Sequence, residues 1–224
     1  MRFKCLVFDH DDTTVDSTRN VHYPCFREFM KIYRPELSVT LEDYVRYNFA
    51  PGVLPFFRDI CGLSETELTE EENYWRNYAK TKVSPAFPKI REIMEKEKAS
   101  GGYIAVVSHS FSENILRDYA YNGLPVPDMV FGWETPHEKR KPHPDALFEI
   151  MERFDLKPEE MLMIDDLKPG LDMARAAGVP FAAAGWCFSI PEIESTMRKE
   201  ADYYFDKTEA LADFLKSPAA PYEG

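Results

Sequence analysis

Four short apolar runs recur along the chain, and helical patterns separate them. The runs are 3–8, 103–107, 161–164 and 179–184. Runs of this length without strict alternation suit strands buried on both faces, as in parallel sheets. Two weaker candidates lie at 129–131 and 203–205. Between them, Ser110-x-x-Glu113 reads as a capping box for a helix ending at Asn122-Gly123. Pro144 suits the first turn of a helix reaching about Phe154, and Leu171 to Ala177 closes at Gly178. Strands alternating with helices predict a parallel α/β sheet.

Residues 18–84 break this rhythm. Pro24 opens a predicted helix to about Tyr33, while Thr40-x-x-Asp43 and Ser64-x-x-Glu67 are two further start signals. With no strand pattern here, the stretch reads as a helical insertion after the first strand. Pro85 and Pro88 mark the return to the sheet. The expected domains are therefore an α/β core of 1–17 and 85–224, and a helical cap of 18–84.

Composition narrows the functional classes. With 27 Lys and Arg against 39 Asp and Glu, the net charge is -12. Nucleic acid and anionic membranes repel such a surface, so neither is an expected partner. A small anionic substrate needs only a local positive site. The four scattered cysteines lack metal-finger spacing and read as free thiols of a reducing cytoplasm. The first apolar run is cut short at Asp9, and no stretch approaches the ~18 apolar residues of a spanning helix.

The most informative stretch is Asp9-His10-Asp11-Asp12-Thr13, directly after the first strand. In open α/β sheets, ligands bind at this end of the strands. Carboxylates crowded there repel one another unless a cation or a shared proton relieves them. A hard divalent ion with oxygen ligands, Mg²⁺ above all, would do so. Alone, such a turn is more often a set of caps on backbone amides. Company at the other strand ends reverses that: Ser108 and His109 follow the second strand, and Asp165-Asp166 follow the third. Lys141 precedes Pro142 and Pro144, which suggests a side chain held in one position.

Taken in this order, the motifs resemble the haloacid dehalogenase superfamily, in the subgroup with a small helical cap that includes phosphoglycolate phosphatases and β-phosphoglucomutase. Asp9-His10-Asp11-Asp12-Thr13 stands for the family's DxDGT, Ser108 for its second motif, Lys141 for its third and Asp165-Asp166 for its fourth. Asp12 replaces the usual Gly, a change a turn tolerates. The resemblance implies a Rossmann-like parallel-sheet core with an inserted α-helical cap. It also implies a Mg²⁺-dependent phosphatase acting on a small phosphorylated metabolite. Mg²⁺ would be held by Asp9, the Asp11 backbone carbonyl and Asp166, with Asp165 a weaker contributor. Ser108, the amide of His109 and Lys141 would hold the phosphoryl oxygens. Asp9 would form an aspartyl-phosphate, and Asp11 would act as general acid and base.

Two other readings stay open. One is a sugar phosphomutase of the β-phosphoglucomutase type. Its cap histidine would fall at Val21, and His22, one residue on, would point about 100° away. His22 is therefore read as an ordinary helix-start residue. The other is a phosphate-binding protein without turnover. Substrate choice is expected in the cap, where Arg46 and Asn48 are candidate contacts. Tyr44, Phe56, Phe57, Tyr74 and Trp75 read as cap core. Neither the particular ester nor the oligomeric state is legible.

Overall fold

A computed structural model describes residues 2–216, so the last stretch of the expected core unit, 217–224, lies outside the described residues. Six strands form one sheet: β1 (Cys5–Phe8), β2 (Tyr103–Val107), β3 (Met129–Phe131), β4 (Met161–Asp165), β5 (Phe181–Ala184) and β6 (Tyr203–Phe205). All neighbours pair in parallel, in the order β3-β2-β1-β4-β5-β6. This is the expected α/β Rossmann-like core. The first strand starts at Cys5 rather than Phe3, and the fourth run is paired only from Phe181.

Successive side chains of a strand point to opposite faces, and the two cores follow from that. Leu6, Phe8, Ile104, Val106, Leu162 and Ile164 face one layer. It is built from α5 (Ile90–Ala99), α6 (Ser112–Tyr121) and α10 (Thr208–Lys216). Cys5, Val7, Ala105, Val107, Met161 and Met163 face the other. There lie α7 (Asp145–Phe154), α8 (Lys168–Ala177) and α9 (Pro191–Glu200).

Between β1 and α5 the regular elements are all helical. After a π turn at Thr18–His22 come α1 (Tyr23–Tyr33), α2 (Leu41–Phe49), α3 (Val53–Pro55) with a further π turn, and α4 (Glu65–Ala79). Thr40 and Ser64 cap α2 and α4, and Ser64 and Glu67 form the predicted reciprocal box. These elements share their own apolar cluster, with Phe26, Phe29 and Met30 against Tyr44, Phe56 and Phe57. The two connections run side by side: Val15 bridges Ala86, and the Asp16 amide donates to the Pro85 carbonyl.

One helix start differs from expectation. α6 begins at Ser112, not after Ser110. Its first amide is satisfied by Glu134, whose carboxylate accepts from the Ser112 N–H at 3.1 Å. That cap comes from the loop after β3, so Ser110 is released for another task. Pro144 sits at the cap position of α7 and Gly178 closes α8, at a φ of 70°.

Candidate active site

β1 delivers Asp9 to the carboxyl edge of the sheet, where the strand order reverses direction between β1 and β4. The chain then turns tightly. Asp12 adopts φ 58°, its N–H donates to the Val15 carbonyl, and the Thr14 hydroxyl donates to the Asp9 carbonyl at 2.7 Å. Asp in place of Gly survives here because its short polar side chain is used: Asp12 Oδ1 accepts the Thr18 N–H at 3.0 Å, tying the turn to the first cap residue.

Lys141 reaches the same point from the loop after β3. Its Nζ donates to Asp9 Oδ1 and to Asp165 Oδ2, each at 2.7 Å, and all three groups are buried. Asp165 is further held by the Leu167 N–H, and Thr13 donates to Asp166 Oδ1 at 3.1 Å. Burial, opposed by Lys141 and reinforced by Asp165 and Asp11, pushes Asp9 up to about 7. Burial with Asp165, Asp12 and Asp9 nearby also lifts Asp166 well above the carboxylate range. Burial disfavours the Lys141 cation, but Asp165 and Asp9 more than offset it and raise its pKa.

Carboxyl oxygens of Asp9, Asp165 and Asp166 lie within 4.8 Å of one another. Three crowded, desolvated oxygen donors facing one ammonium suit a hard divalent cation, which would relieve the remaining repulsion. Asp165 already spends both oxygens on Lys141 and Leu167, which fits a lesser share in holding such an ion. A neighbouring group, Asp12, Asp16 and Cys187, has Arg19 already donating to Asp16 and Cys187, so a cation there would meet a guanidinium.

Ser108 and His109 stand at the end of β2. The Ser108 hydroxyl accepts the Ser110 N–H at 3.1 Å. His109 Nε2 faces the Lys141 carbonyl at 3.1 Å, and burial with Lys141 nearby pushes the ring down to about 4, so it is neutral at pH 7.

The cap completes the site, and here two sequence expectations fail. His22 is no ordinary helix-start residue: its Nε2 lies 2.8 Å from Asp11 Oδ1. The Thr18–His22 stretch winds as a π turn, so the 100° step assumed for an α-helix does not apply. Trp75 is not mere cap core: its indole N–H donates to His22 Nδ1 at 3.1 Å. That bond leaves Nε2 as the ring's donor to Asp11. Ser110, freed from capping, donates to Asp11 Oδ2 at 2.5 Å. Burial alone would lift Asp11, but His22 and Ser110 hold it below the ordinary range. Burial opposes a charged His22, and so does the Trp75 N–H on Nδ1, which only the neutral ring can accept; Asp11 acts the other way and raises the ring's pKa. His22 and Ser110 carry no local signal for this role: the His22 contact depends on how cap and core meet, and the Ser110 contact on the pairing of β1 with β2.

Arg46 is also displaced from its expected role. It pairs with Glu42, Asp43 and, across to α9, Glu192, and it does not line the cavity above Asp9. Asn48 does line it, donating to the Tyr44 carbonyl at 2.8 Å. The cavity holds about 350 Å³ and runs from Asp9, Ser108 and Lys141 up into the cap.

Comparison with known proteins identifies relatives of the chain as a whole. A family profile described as haloacid dehalogenase-like hydrolase matches residues 6–184. A phosphoglycolate phosphatase of Haemophilus influenzae (strain 86-028NP) is 26% identical over 227 residues, covering 96% of this chain and 99% of that protein. Among solved structures, a haloacid dehalogenase-like family hydrolase of Streptococcus pneumoniae superposes with a TM-score of 0.74 at 22% identity, over 95% of this chain and 99% of that one. CbbY from Rhodobacter sphaeroides, solved with phosphate, gives 0.72 at 18% identity, over 93% of this chain and 96% of that one. The profile match over most of the chain, on the fold and strand-end carboxylates described above, places this protein in the haloacid dehalogenase-like hydrolase family.

Proposed function

We propose that the protein is a Mg²⁺-dependent phosphatase that hydrolyses a small phosphate monoester through a phosphorylated Asp9. The observation that carries this is the junction of Asp9, Lys141 and Asp165 beneath a cavity whose other wall is Asp11 with His22 and Ser110. Relatives named phosphoglycolate phosphatase support the activity class. A bound Mg²⁺, held by Asp9, Asp166 and the Asp11 carbonyl, would supply positive charge against the phosphoryl oxygens. Lys141, the Ser108 hydroxyl and the His109 amide would hold those oxygens and align phosphorus with Asp9.

An Asp9 oxygen attacks phosphorus and the ester P–O bond breaks, with Asp11 giving its proton to the departing alcohol. Water then attacks phosphorus, Asp11 takes the water's proton, and the bond to Asp9 breaks to release inorganic phosphate. His22 and Ser110 keep Asp11 ionised in the free enzyme, which suits the second step. An anionic ester beside Asp11 favours its protonated form, which suits the first.

The division into a core of 1–17 and 85–224 and a cap of 18–84 belongs to this reading, the cap closing over the ester to exclude water. Four buried, unpaired cysteines support a cytoplasmic setting, and no helix among the described residues is long and apolar enough to cross a membrane. The His22–Asp11 contact favours a second reading, the sugar phosphomutase.

The test is phosphate release from p-nitrophenyl phosphate and a panel of esters, with and without Mg²⁺, beside Asp9→Asn. Release that needs Mg²⁺ and vanishes in Asp9→Asn is expected. Full activity in the variant would refute the covalent route. Interconversion of β-glucose 1-phosphate without phosphate release would favour the mutase.

A further inference from the structure

The two ends of the cavity have opposite chemistry. At the sheet end lies Lys141; among the described residues that line the cavity there is no other Lys and no Arg. Of the two histidines that line it, His22 has a raised pKa, but it is committed to Asp11. His22 spends one ring nitrogen on Asp11 and the other on Trp75, and His109 is neutral at pH 7 with Nε2 on a carbonyl. The cap end instead carries Glu65, Glu71 and Glu72.

Glu71 is half-buried and Glu65 and Glu72 are exposed, and aromatic residues line the same cavity. Trp75 and Trp133 meet edge to face, 5.8 Å between centroids at 83°, and Tyr44 and Phe57 line the same cavity. Glu72 accepts the Trp133 indole N–H at 2.9 Å. Glu71 accepts no hydrogen bond among the described residues, and burial beside Glu72 pushes it up to about 7. Among the described residues no Lys or Arg pairs with Glu71, so its carboxylate is open to a cation entering the cavity. Arg140 already stacks its guanidinium on one face of Trp133, 4.0 Å from the centroid, but does not line the cavity.

We propose that the cap end receives a positively charged leaving group, so that the substrates are phosphate monoesters of ammonium-bearing alcohols rather than esters with a second anionic group. This rests on the phosphatase reading above. Glu71 and Glu72 would face the ammonium, and Trp75 and Trp133 would take its carbon-bound surface. The same geometry counts against a phosphomutase, because a bisphosphate intermediate needs a second phosphate site and, among the described residues, no Lys or Arg of the cap lines the cavity to make one. It also separates this chain from relatives named for phosphoglycolate, whose carboxylate would meet Glu71 and Glu72 at close range.

The test compares phosphocholine, ethyl phosphate and phosphoglycolate, which share the phosphate and differ in charge at the other end. We expect kcat/KM to fall in that order, by on the order of tenfold or more from first to last. Glu71→Gln is expected to shrink the ratio of phosphocholine to ethyl phosphate several-fold. Binding of phosphocholine and phosphoglycolate to Mg²⁺-loaded Asp9→Asn, measured by titration calorimetry, reads the same preference without turnover. The inference therefore stands or falls even if no ester is hydrolysed, an outcome that would sink only the phosphatase reading. Equal or tighter binding of phosphoglycolate, or no advantage of phosphocholine over ethyl phosphate, would overturn it.

Discussion

Asp11 shows how far a single residue's chemistry depends on its neighbours. It accepts from a cap histidine on one oxygen and a core serine on the other, while Trp75 orients the histidine from behind. His22 is thus a positioning residue, and His22→Asn is expected to lower kcat about tenfold while KM moves little. With the histidine gone, Asp11 is no longer held so far below its ordinary range. The acid limb of the kcat–pH profile should then shift to higher pH. A profile and kcat like those of the unaltered enzyme would show that the contact is incidental. The placement of Asp9, Asp11 and the acidic pair at one sheet edge was legible from sequence, because each follows a strand whose apolar run marks where that edge lies, whereas Lys141 was legible only from its flanking prolines and the family resemblance. His22 and Trp75 were not, because a cap residue can be linked to the site only once the cap's docking is known.

The elements were read well where the signal is local. The six strands, the Ser64–Glu67 box and the Gly178 helix end all rest on neighbouring residues. The start of α6 was misread because its cap, Glu134, comes from the loop after another strand. A close approach of α8 to β4 matters in the same way. A Cβ on Gly170 would press into the Asp165 side chain, which is fully buried and holds Lys141. Gly170→Ala should cost about 1–3 kcal/mol of stability by overpacking. It should also lower activity more than stability explains, since Asp165 must move. A thermal melt with parallel kinetics checks this; a variant that melts and turns over normally would show that α8 shifts freely.

For the molecule as a whole, one buried charge far from the chemistry sets a pH dependence. Glu97, on α5, is fully buried, and neither carboxyl oxygen has a hydrogen-bond partner. Burial pushes it up to about 7 from an ordinary value of 4.5. The folded state therefore binds a proton that the unfolded state has lost over this window, so stability should fall as pH rises from about 4.5 to 7. The loss is at most about 3 kcal/mol. Glu97→Gln should remove the share of that slope owed to Glu97, beside those of Asp9 and Glu71, and stabilise the protein at neutral pH, as urea unfolding at pH 5 and pH 8 would reveal. An unchanged slope would assign the dependence to other groups.

Sheet, insertion and strand-end carboxylates were written in apolar runs, caps and turn residues, because burial and backbone hydrogen bonding act over a few neighbours. Docking of cap on core settled the rest: that His22 meets Asp11, that Arg46 pairs with Glu192 instead of facing substrate, and that the cavity's far end is acidic and aromatic. Those contacts join residues from 11 to 146 positions apart, and a side chain's partner beyond its own element follows from three-dimensional packing alone.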